Sequence, residues 1–350
     1  MENSLSSRLN SINEPVLVTG HTGFKGSWMT LLLEKLDIEW YGLSLQPKPD
    51  SLYNLITKKK KSNEFFVDIR NYNKLKKIIS RINPKYVVHL AAQPLVLNSY
   101  SEPRETFETN VLGTVNLLDV LMKYTSASRI IVATTDKVYK EKKLKTSFKE
   151  SDSLGGKDPY SWSKVGTEAT VGAWQQISKI QGGPKIISVR AGNVVGGGDG
   201  SENRLLPDLI KGFIANSSIN IRNPDNTRPW QHALDPLSGY LLALAIDTNE
   251  NAFNFSPGGK SLTVHEVTEI ARQAWDSQTK INISKGKDSL ETKSISLNSA
   301  KATQKLKWNS YWTQESSVLS TVKWWKNVTS KSLSPNEACM KDIRELLDES

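Results

Sequence analysis

Cysteine is all but missing from this chain of 350 residues: Cys339 stands alone, which excludes an internal disulfide framework and a cysteine-based metal site. Histidine is nearly as scarce, with 4 in all and none paired at metal-ligand spacing, so no metal is expected. No apolar run approaches the length that crosses a bilayer; residues 240–246 are among the longest and are flanked by polar side chains. Residues 1–7 carry neither a basic nor an apolar stretch, so no secretory signal is expected, and the expected location is cytoplasmic. Aromatic residues are not interleaved with the lysines, as a surface stacking single-stranded nucleic acid would require. Neither nucleic acid nor membrane is expected as a partner.

The net charge of +10 comes in good part from lysine runs at 58–61 and 140–143. These read as solvated surface or as a field that draws an anionic ligand such as a nucleotide diphosphate. With 37% apolar and 23% charged residues, a chain this long can bury one large core or two modest ones.

What is present is an alternation. Strands are expected at 15–19, 39–45, 65–67, 85–90, 129–134 and 185–190, separated by helices expected at 28–36, 72–82, 106–124 and 160–180. Within 72–82, Leu75, Ile78, Ile79 and Ile82 share one helical face. The pattern predicts an α/β fold, a Rossmann-like doubly wound parallel sheet over 15–192, preceded by a polar leader at 1–14. Beyond Gly192 the rhythm breaks. Gly196-Gly197-Gly198 and 222–230 are loop-like, and helices are expected at 205–214, 236–246, 264–275 and 315–325. Residues 193–330 are read as a smaller mixed C-terminal substrate-binding domain, free to interleave with the sheet domain, and 331–350 as an appendage.

The first strand runs into Gly20-His21-Thr22-Gly23-Phe24-Lys25-Gly26. Gly20 suits the turn off the strand, Gly23 a close approach to phosphates, and Gly26 close helix–sheet packing, while the helix start offers N–H groups to a pyrophosphate. The end of the second strand lacks the carboxylate that would hold NAD ribose hydroxyls. Ser44 is the remaining hydroxyl there, and Lys25 or Lys48 would suit a 2′-phosphate, so NAD and NADP stay open on this segment. Asp68 fits either the adenine edge or the N-cap of the helix at 72–82.

Thr135-Asp136-Lys137 closes the fifth strand, and Tyr160 and Lys164 lie one helical turn apart. An unperturbed tyrosine is a poor base at neutral pH; a neighbouring ammonium and a cationic nicotinamide are expected to lower its pKa and free a phenolate for a sugar hydroxyl. Thr135 can hold the same hydroxyl. The competing reading of Asp136 and Lys137 is a local ion pair at a strand end, and it carries the smaller weight.

The order TGxxGxxG, Thr-Asp, YxxxK resembles the extended short-chain dehydrogenase/reductase family. Longer strings are similar to its CDP-glucose 4,6-dehydratase branch: residues 21–28, 91–95, 154–156, 190–199 and 228–232. Leu97 and Gly200 depart from that branch, which carries arginine and tryptophan there. The resemblance implies NAD as cofactor and CDP-glucose as substrate. Tyr160, Thr135 and Lys164 would serve oxidation at C4; water would be lost across C5 and C6, and the hydride returned to C6. It implies Asp136 as the acid for the leaving C6 hydroxyl and Lys137 as the C5 base or its electrostatic support. Further cofactor contacts are implied at Thr22, Phe24, Ile69, Leu90, Ala91, Ala92 and Thr109, and substrate contacts at Gln93, Asn110, Asn193, Arg204, Arg228 and His232. A homodimer or dimer of dimers through the helices at 106–124 and 160–180, and a place in deoxysugar synthesis for lipopolysaccharide O-antigen, are implied in the same way. A nucleotide-sugar 4-epimerase and a non-catalytic dinucleotide-binding module remain as alternatives, because fold analogy alone does not choose between them.

Overall fold

The computed structural model describes residues 4–57, 61–141, 147–284 and 295–349; Lys58, Lys59, Lys60, Lys142 and Lys143 of the lysine runs lie outside them. The chain begins with α1 (Leu5–Leu9), β1 (Val16–Thr19), α2 (Phe24–Lys35), β2 (Trp40–Ser44), α3 (Leu52–Ile56) and β3 (Glu64–Phe66). It continues through α4 (Tyr72–Ile82), β4 (Tyr86–His89), α5 (Val96–Ser101), α6 (Pro103–Phe107), a π-turn (Glu108–Leu112) and α7 (Gly113–Tyr124). Next come β5 (Arg129–Ala133), a 3-10 turn (Asp136–Val138), α8 (Pro159–Gln181), β6 (Lys185–Ala191) and β7 (Asn193–Val195). The second half holds α9 (Leu205–Ala215), β8 (Ile219–Arg222), β9 (Thr227–Arg228), β10 (Trp230–His232), α10 (Leu234–Ala245) and β11 (Ala252–Phe255). It ends with β12 (Leu262–Thr263), α11 (Val264–Trp275), β13 (Ile281–Ser284), α12 (Ala300–Leu306), α13 (Gln314–Thr329) and α14 (Pro335–Glu349).

Seven strands make one parallel sheet in the order β11-β6-β5-β4-β1-β2-β3. This is the doubly wound Rossmann-like arrangement expected. Its strands are nearly continuous apolar runs because both faces are covered. One face packs Leu75, Leu117, Leu121 and Val171 from α4, α7 and α8; the other packs Trp28, Leu237, Tyr240 and Trp308 with α2 and α10. The order reverses between β1 and β4, which opens a crevice at the carboxyl ends of those strands.

The segment after 193 contributes a strand and a helix to the sheet layer. β11 is its seventh strand and α10 lies against it, while the short pairs β10-β7, β12-β9 and β13-β8 stand apart. The ends of the chain are more integral than a leader and an appendage. Leu5, Leu9 and Ile12 are buried in the core, and α14 packs on α2, α3 and α13 with Cys339, Ile343 and Leu346 buried. Each is a polar segment on average with a single apolar stripe, and the stripe decides where it goes.

Local capping fixes the elements that matter most. Asp158 and Ser161 form a reciprocal capping box at the start of α8, with Pro159 in its first turn, and Gly182 ends it in the left-handed region. The helix expected at 106–124 is interrupted by the π-turn around Asn110.

Candidate functional site

The glycine loop fits the cofactor whose binding it predicts. Gly20 has φ +76°, and a Cβ there would stand 2.7 Å from the Ala91 nitrogen. A Cβ on Gly26 would stand 2.0 Å from the Gly20 carbonyl oxygen, so only glycine lets α2 approach the loop. Gly23 caps α2 with no side-chain hydrogen bond, which leaves first-turn N–H groups for a pyrophosphate. Leu90 and Ala91 are tied to Thr19 of β1, the Leu90 N–H to its carbonyl and the Ala91 N–H to its hydroxyl; together with Ala92 they follow β4 beside Gly20. Phe24 lies against Gly196, and Thr109 is half-buried on the π-turn.

At the end of β2, where a carboxylate is absent, Ser44 and Thr22 share a hydrogen bond of 2.6 Å, and the Thr22 hydroxyl reaches the Leu45 carbonyl at 3.1 Å. Asp68 is not the cap of α4; Asn71 accepts from the Lys74 N–H in that role. Partial burial would raise the Asp68 carboxyl, but the Arg70 guanidinium and N–H outweigh it and hold the group below the usual carboxylate range. Ile69 turns into the core against Gly113.

Sequence reasoning missed His21. Its ring occupies the space left by the absent Cβ of Gly42, between Trp40, Tyr53 and Phe66, with Nε2 3.6 Å from a Glu64 oxygen. Desolvation pushes it down to about 4, so it is a neutral anchor of the loop near pH 7. A glycine two places into the second strand was the available signal.

Beyond β5, the Thr135 hydroxyl caps the 3-10 turn by accepting from the Lys137 N–H, and donates to Asp136 Oδ1 at 2.9 Å. Lys137 Nζ lies 3.6 Å from Asp136 Oδ1 and 3.4 Å from Asn193 Oδ1. Asp136 Oδ2 is buried and has no hydrogen-bond partner. Tyr160 is presented by the first turn of α8, with its N–H on Ser99 Oγ and its phenol beside the Thr135 hydroxyl. Lys164 Nζ donates to the Ala133 carbonyl at 3.2 Å.

The protein's own groups do not by themselves lower the Tyr160 phenol. Burial, reinforced by the Asp136 carboxylate, pushes the phenol up to about 12, against smaller opposing effects of Thr135 and Arg204. Lys164 takes the shift instead, down to about 7, through burial and the charge of Lys25. Lys25 is itself lowered to about 8 by burial and Arg204, and its ammonium lies 5.5 Å from the Tyr240 ring centroid. Lys25, Lys164 and Arg204 thus concentrate positive charge around Tyr160, in a place where desolvation makes each charge costly.

The proposed substrate residues divide. Asn193 faces Lys137, and Arg204 pairs with Asp199 at 3.3 Å while its charge acts on Tyr160 and Lys25. Arg228 is buried on β9, donating to the Thr227 carbonyl. Asn110 and Gln93 bind each other: the Gln93 N–H donates to Asn110 Oδ1 at 2.8 Å, and Asn110 Nδ2 donates to the Gln93 carbonyl and to Ser163 Oγ. With its amide committed to these bonds, Asn110 orders α8 against the loop after β4. His232 packs between Trp28 and Trp312 with Nε2 3.4 Å from Asp342, because β10 turns it into the core. Leu97 is 43% exposed on α5, and a Cβ on Gly200 would meet the Asp50 carbonyl at an ordinary 3.5 Å. Among the described residues no group of acidic, histidine or cysteine side chains could hold a metal ion, and no helix is long and apolar enough to cross a membrane.

Comparison with known proteins follows the same lines. Residues 17–329 match the family model for GDP-mannose 4,6 dehydratase. CDP-glucose 4,6-dehydratase of Salmonella typhimurium is 36% identical over 323 residues, covering 89% of this chain and 90% of the relative. CDP-paratose 2-epimerase of Salmonella typhi is 28% identical, over 73% of this chain and 82% of its own. Among solved structures, dTDP-glucose 4,6-dehydratase of Streptomyces venezuelae, determined with NAD bound, superposes with a TM-score of 0.79, covering 92% of this chain and 99% of its own at 23% identity.

Proposed function

The chain belongs to the GDP-mannose 4,6 dehydratase family, and on that footing we propose that it is an NAD-dependent nucleotide-sugar 4,6-dehydratase whose substrate is CDP-glucose. The observation that carries the reading is the joining of two proton-handling pairs by one hydroxyl. Thr135 donates to the Asp136 carboxylate at 2.9 Å and lies beside the Tyr160 phenol, on whose titration it acts. A 4-epimerase needs only the first pair. CDP-glucose is preferred because the 36%-identical relative, matched over nearly all its length, carries that activity.

NAD, when bound, supplies the hydride acceptor for C4 and afterwards the hydride donor for C6. Tyr160 takes the proton of the C4 hydroxyl at its phenolic oxygen, with Thr135 holding the substrate oxygen. The cations Lys164, Lys25 and Arg204 offset the charge that develops there. Once C4 is a ketone the C5 proton is acidified. Transfer of a proton within the Lys137–Asp136 pair, from Nζ to the carboxylate, leaves an amine that accepts the C5 proton and an acid that protonates the C6 oxygen, which leaves as water. Hydride arrival at C6 and reprotonation of C5 give the 4-keto-6-deoxy sugar. The proton left on Tyr160 replaces the one that departs in water, and its passage to the Asp136–Lys137 pair restores the resting state.

The apolar side chains of Leu97, Tyr100, Phe107, Leu112 and Trp162 are exposed on α5, α6, the π-turn and α8, elements that pack together. A second copy of the chain is the proposed occupant of this face, giving a homodimer. Incubation of the purified protein with CDP-glucose and NAD tests the function directly. Loss of one water by mass, with an alkaline chromophore from the 4-keto product and no net NADH, is the expected outcome. An epimerised sugar of unchanged mass would overturn it.

A further inference from the structure

Behind the two proton-handling pairs lies a buried polar network that plays no part in the steps above. Arg190 of β6 meets Glu168 of α8 through two parallel hydrogen bonds, Nε to Oε1 at 2.8 Å and Nη2 to Oε2 at 2.7 Å, and both side chains are almost wholly buried. Glu168 sits one helical turn beyond Lys164. Its Oε1 also accepts from the Thr134 hydroxyl at 2.5 Å. On the other side, Arg190 Nη1 donates to the Tyr139 hydroxyl at 2.8 Å and to the Glu150 carbonyl at 3.2 Å. The Tyr139 hydroxyl in turn donates to Asn254 Oδ1 on β11 at 2.6 Å. Thr134 and Tyr139 are therefore held by opposite ends of one ion pair. Between them in the chain lie Thr135, Asp136, Lys137 and Val138.

We propose that the Glu168–Arg190 pair is a clamp that keeps the elimination groups Asp136 and Lys137 in register with Tyr160 and Lys164, with Thr134 and Tyr139 as positioning residues for the elimination step. The proposal rests on the dehydratase reading. Its physical basis is the short 3-10 turn that carries Asp136 and Lys137. That turn is too short to hold its own geometry, so its two flanks must be fixed from outside. A planar guanidinium with a bidentate partner is a rigid way of doing so. The partner belongs to α8, the helix that bears Tyr160, so displacement of one pair relative to the other requires breaking a buried charge contact. Tyr160 and Lys164 have separate supports, the Ser99 hydroxyl on the Tyr160 N–H and the Ala133 carbonyl on Lys164, and survive release of the turn; Thr135 alone of the oxidation groups moves with it, so oxidation suffers less than elimination.

Replacing Arg190 or Glu168 would strand the other charge in the core and endanger folding. Removal of a hydroxyl at each end of the clamp is the milder test. In Tyr139→Phe and Thr134→Val holoenzyme, single turnovers with CDP-glucose would be followed by absorbance of the reduced cofactor, by deuterium uptake at C5 and by loss of water. Misplacement of a catalytic group can cost orders of magnitude, so water loss and C5 exchange are expected to slow about tenfold or more in each variant. C4 oxidation should change less than about threefold, with reduced cofactor accumulating transiently, and Thr134→Ser should restore the wild-type partition. Oxidation and elimination falling together, or an unchanged partition in a variant with the wild-type thermal midpoint, would overturn the clamp while leaving the dehydratase reading intact. Wild-type protein that removes water from no nucleotide sugar would remove the reading and the clamp with it.

Discussion

Asp136 and Lys137 are neighbours in the chain, and their charged groups meet 3.6 Å apart, the carboxylate fully buried and the ammonium about one-quarter exposed. One Asp136 oxygen is committed to Thr135 and Lys137, while the other is buried with no partner. An unpartnered buried carboxylate oxygen is costly unless something else uses it. The expected user is the departing C6 oxygen. Asp136→Asn should therefore slow water loss by about 10²–10⁴-fold, the usual scale for one general acid. C4 oxidation should persist, visible as reduced cofactor at 340 nm. Loss of oxidation to the same degree would assign Asp136 to the first step instead.

Tyr160 carries the opposite prediction. Its phenol is raised by burial, so by itself it holds its proton, and it becomes a proton acceptor only as a phenolate stabilised by the cations beside it. Tyr160→Phe removes the proton acceptor but fills the same space. C4 oxidation is expected to fall by about 10²–10⁴-fold, while NAD affinity measured by fluorescence quenching stays within about twofold. A variant that still oxidises C4 at the wild-type rate would place the base elsewhere, with Lys164 the next group to replace.

The glycine loop makes a steric prediction. A methyl group at Gly26 has nowhere to go, because the Gly20 carbonyl and His21 Cα belong to a loop already fixed through Thr19, Thr22 and His21. Overpacking of this kind commonly costs about 1–3 kcal/mol, and here it distorts the N–H groups meant for the pyrophosphate. Gly26→Ala should weaken NAD binding about tenfold or more by titration calorimetry, since each 1.4 kcal/mol is a factor of about ten. Unchanged affinity would mean the loop can move, contrary to its contacts.

How far these features could be read in advance depended on whether local pattern or tertiary contact decides them. Helices α4 and α11 occupy the very residues their apolar spacing predicts, and the six expected strands fall within a residue or two of their β-branched runs, because burial of one face acts on each segment separately; β7 to β13 were not expected. The π-turn was invisible for the opposite reason. Asn110 holds Gln93 and Ser163, residues distant in the chain, and those bonds rather than propensity open the helix. Gly20, Gly23 and Gly26 were legible because backbone chemistry alone demands them. The Glu168–Arg190 contact spans 22 residues with no periodic signal, and Leu5, Leu9 and Ile343 lie in segments whose mean polarity hides a single buried stripe.

Asp235 provides a test of the fold that is independent of catalysis. It stands at 0% exposure in the first turn of α10, where its carboxyl accepts the N–H groups of Tyr311 and Trp312 at 2.7 and 3.3 Å. Burial wins over those two hydrogen bonds and pushes the group up to about 8. The folded chain therefore keeps a proton that the unfolded chain, with an ordinary aspartate near 3.9, releases. That contribution to stability is fully present below about pH 4 and is lost as pH rises through about 8. Asp235→Asn keeps an acceptor for the Tyr311 N–H and cannot titrate. Between pH 5 and 8, urea unfolding should show wild type losing stability relative to the variant, by at most about 1.4 kcal/mol per pH unit. Parallel curves for the two proteins would mean that the Tyr311 and Trp312 N–H groups hold Asp235 ionised in the core, and the loop from 308 to 312 would then be anchored by a charge instead of a neutral acid.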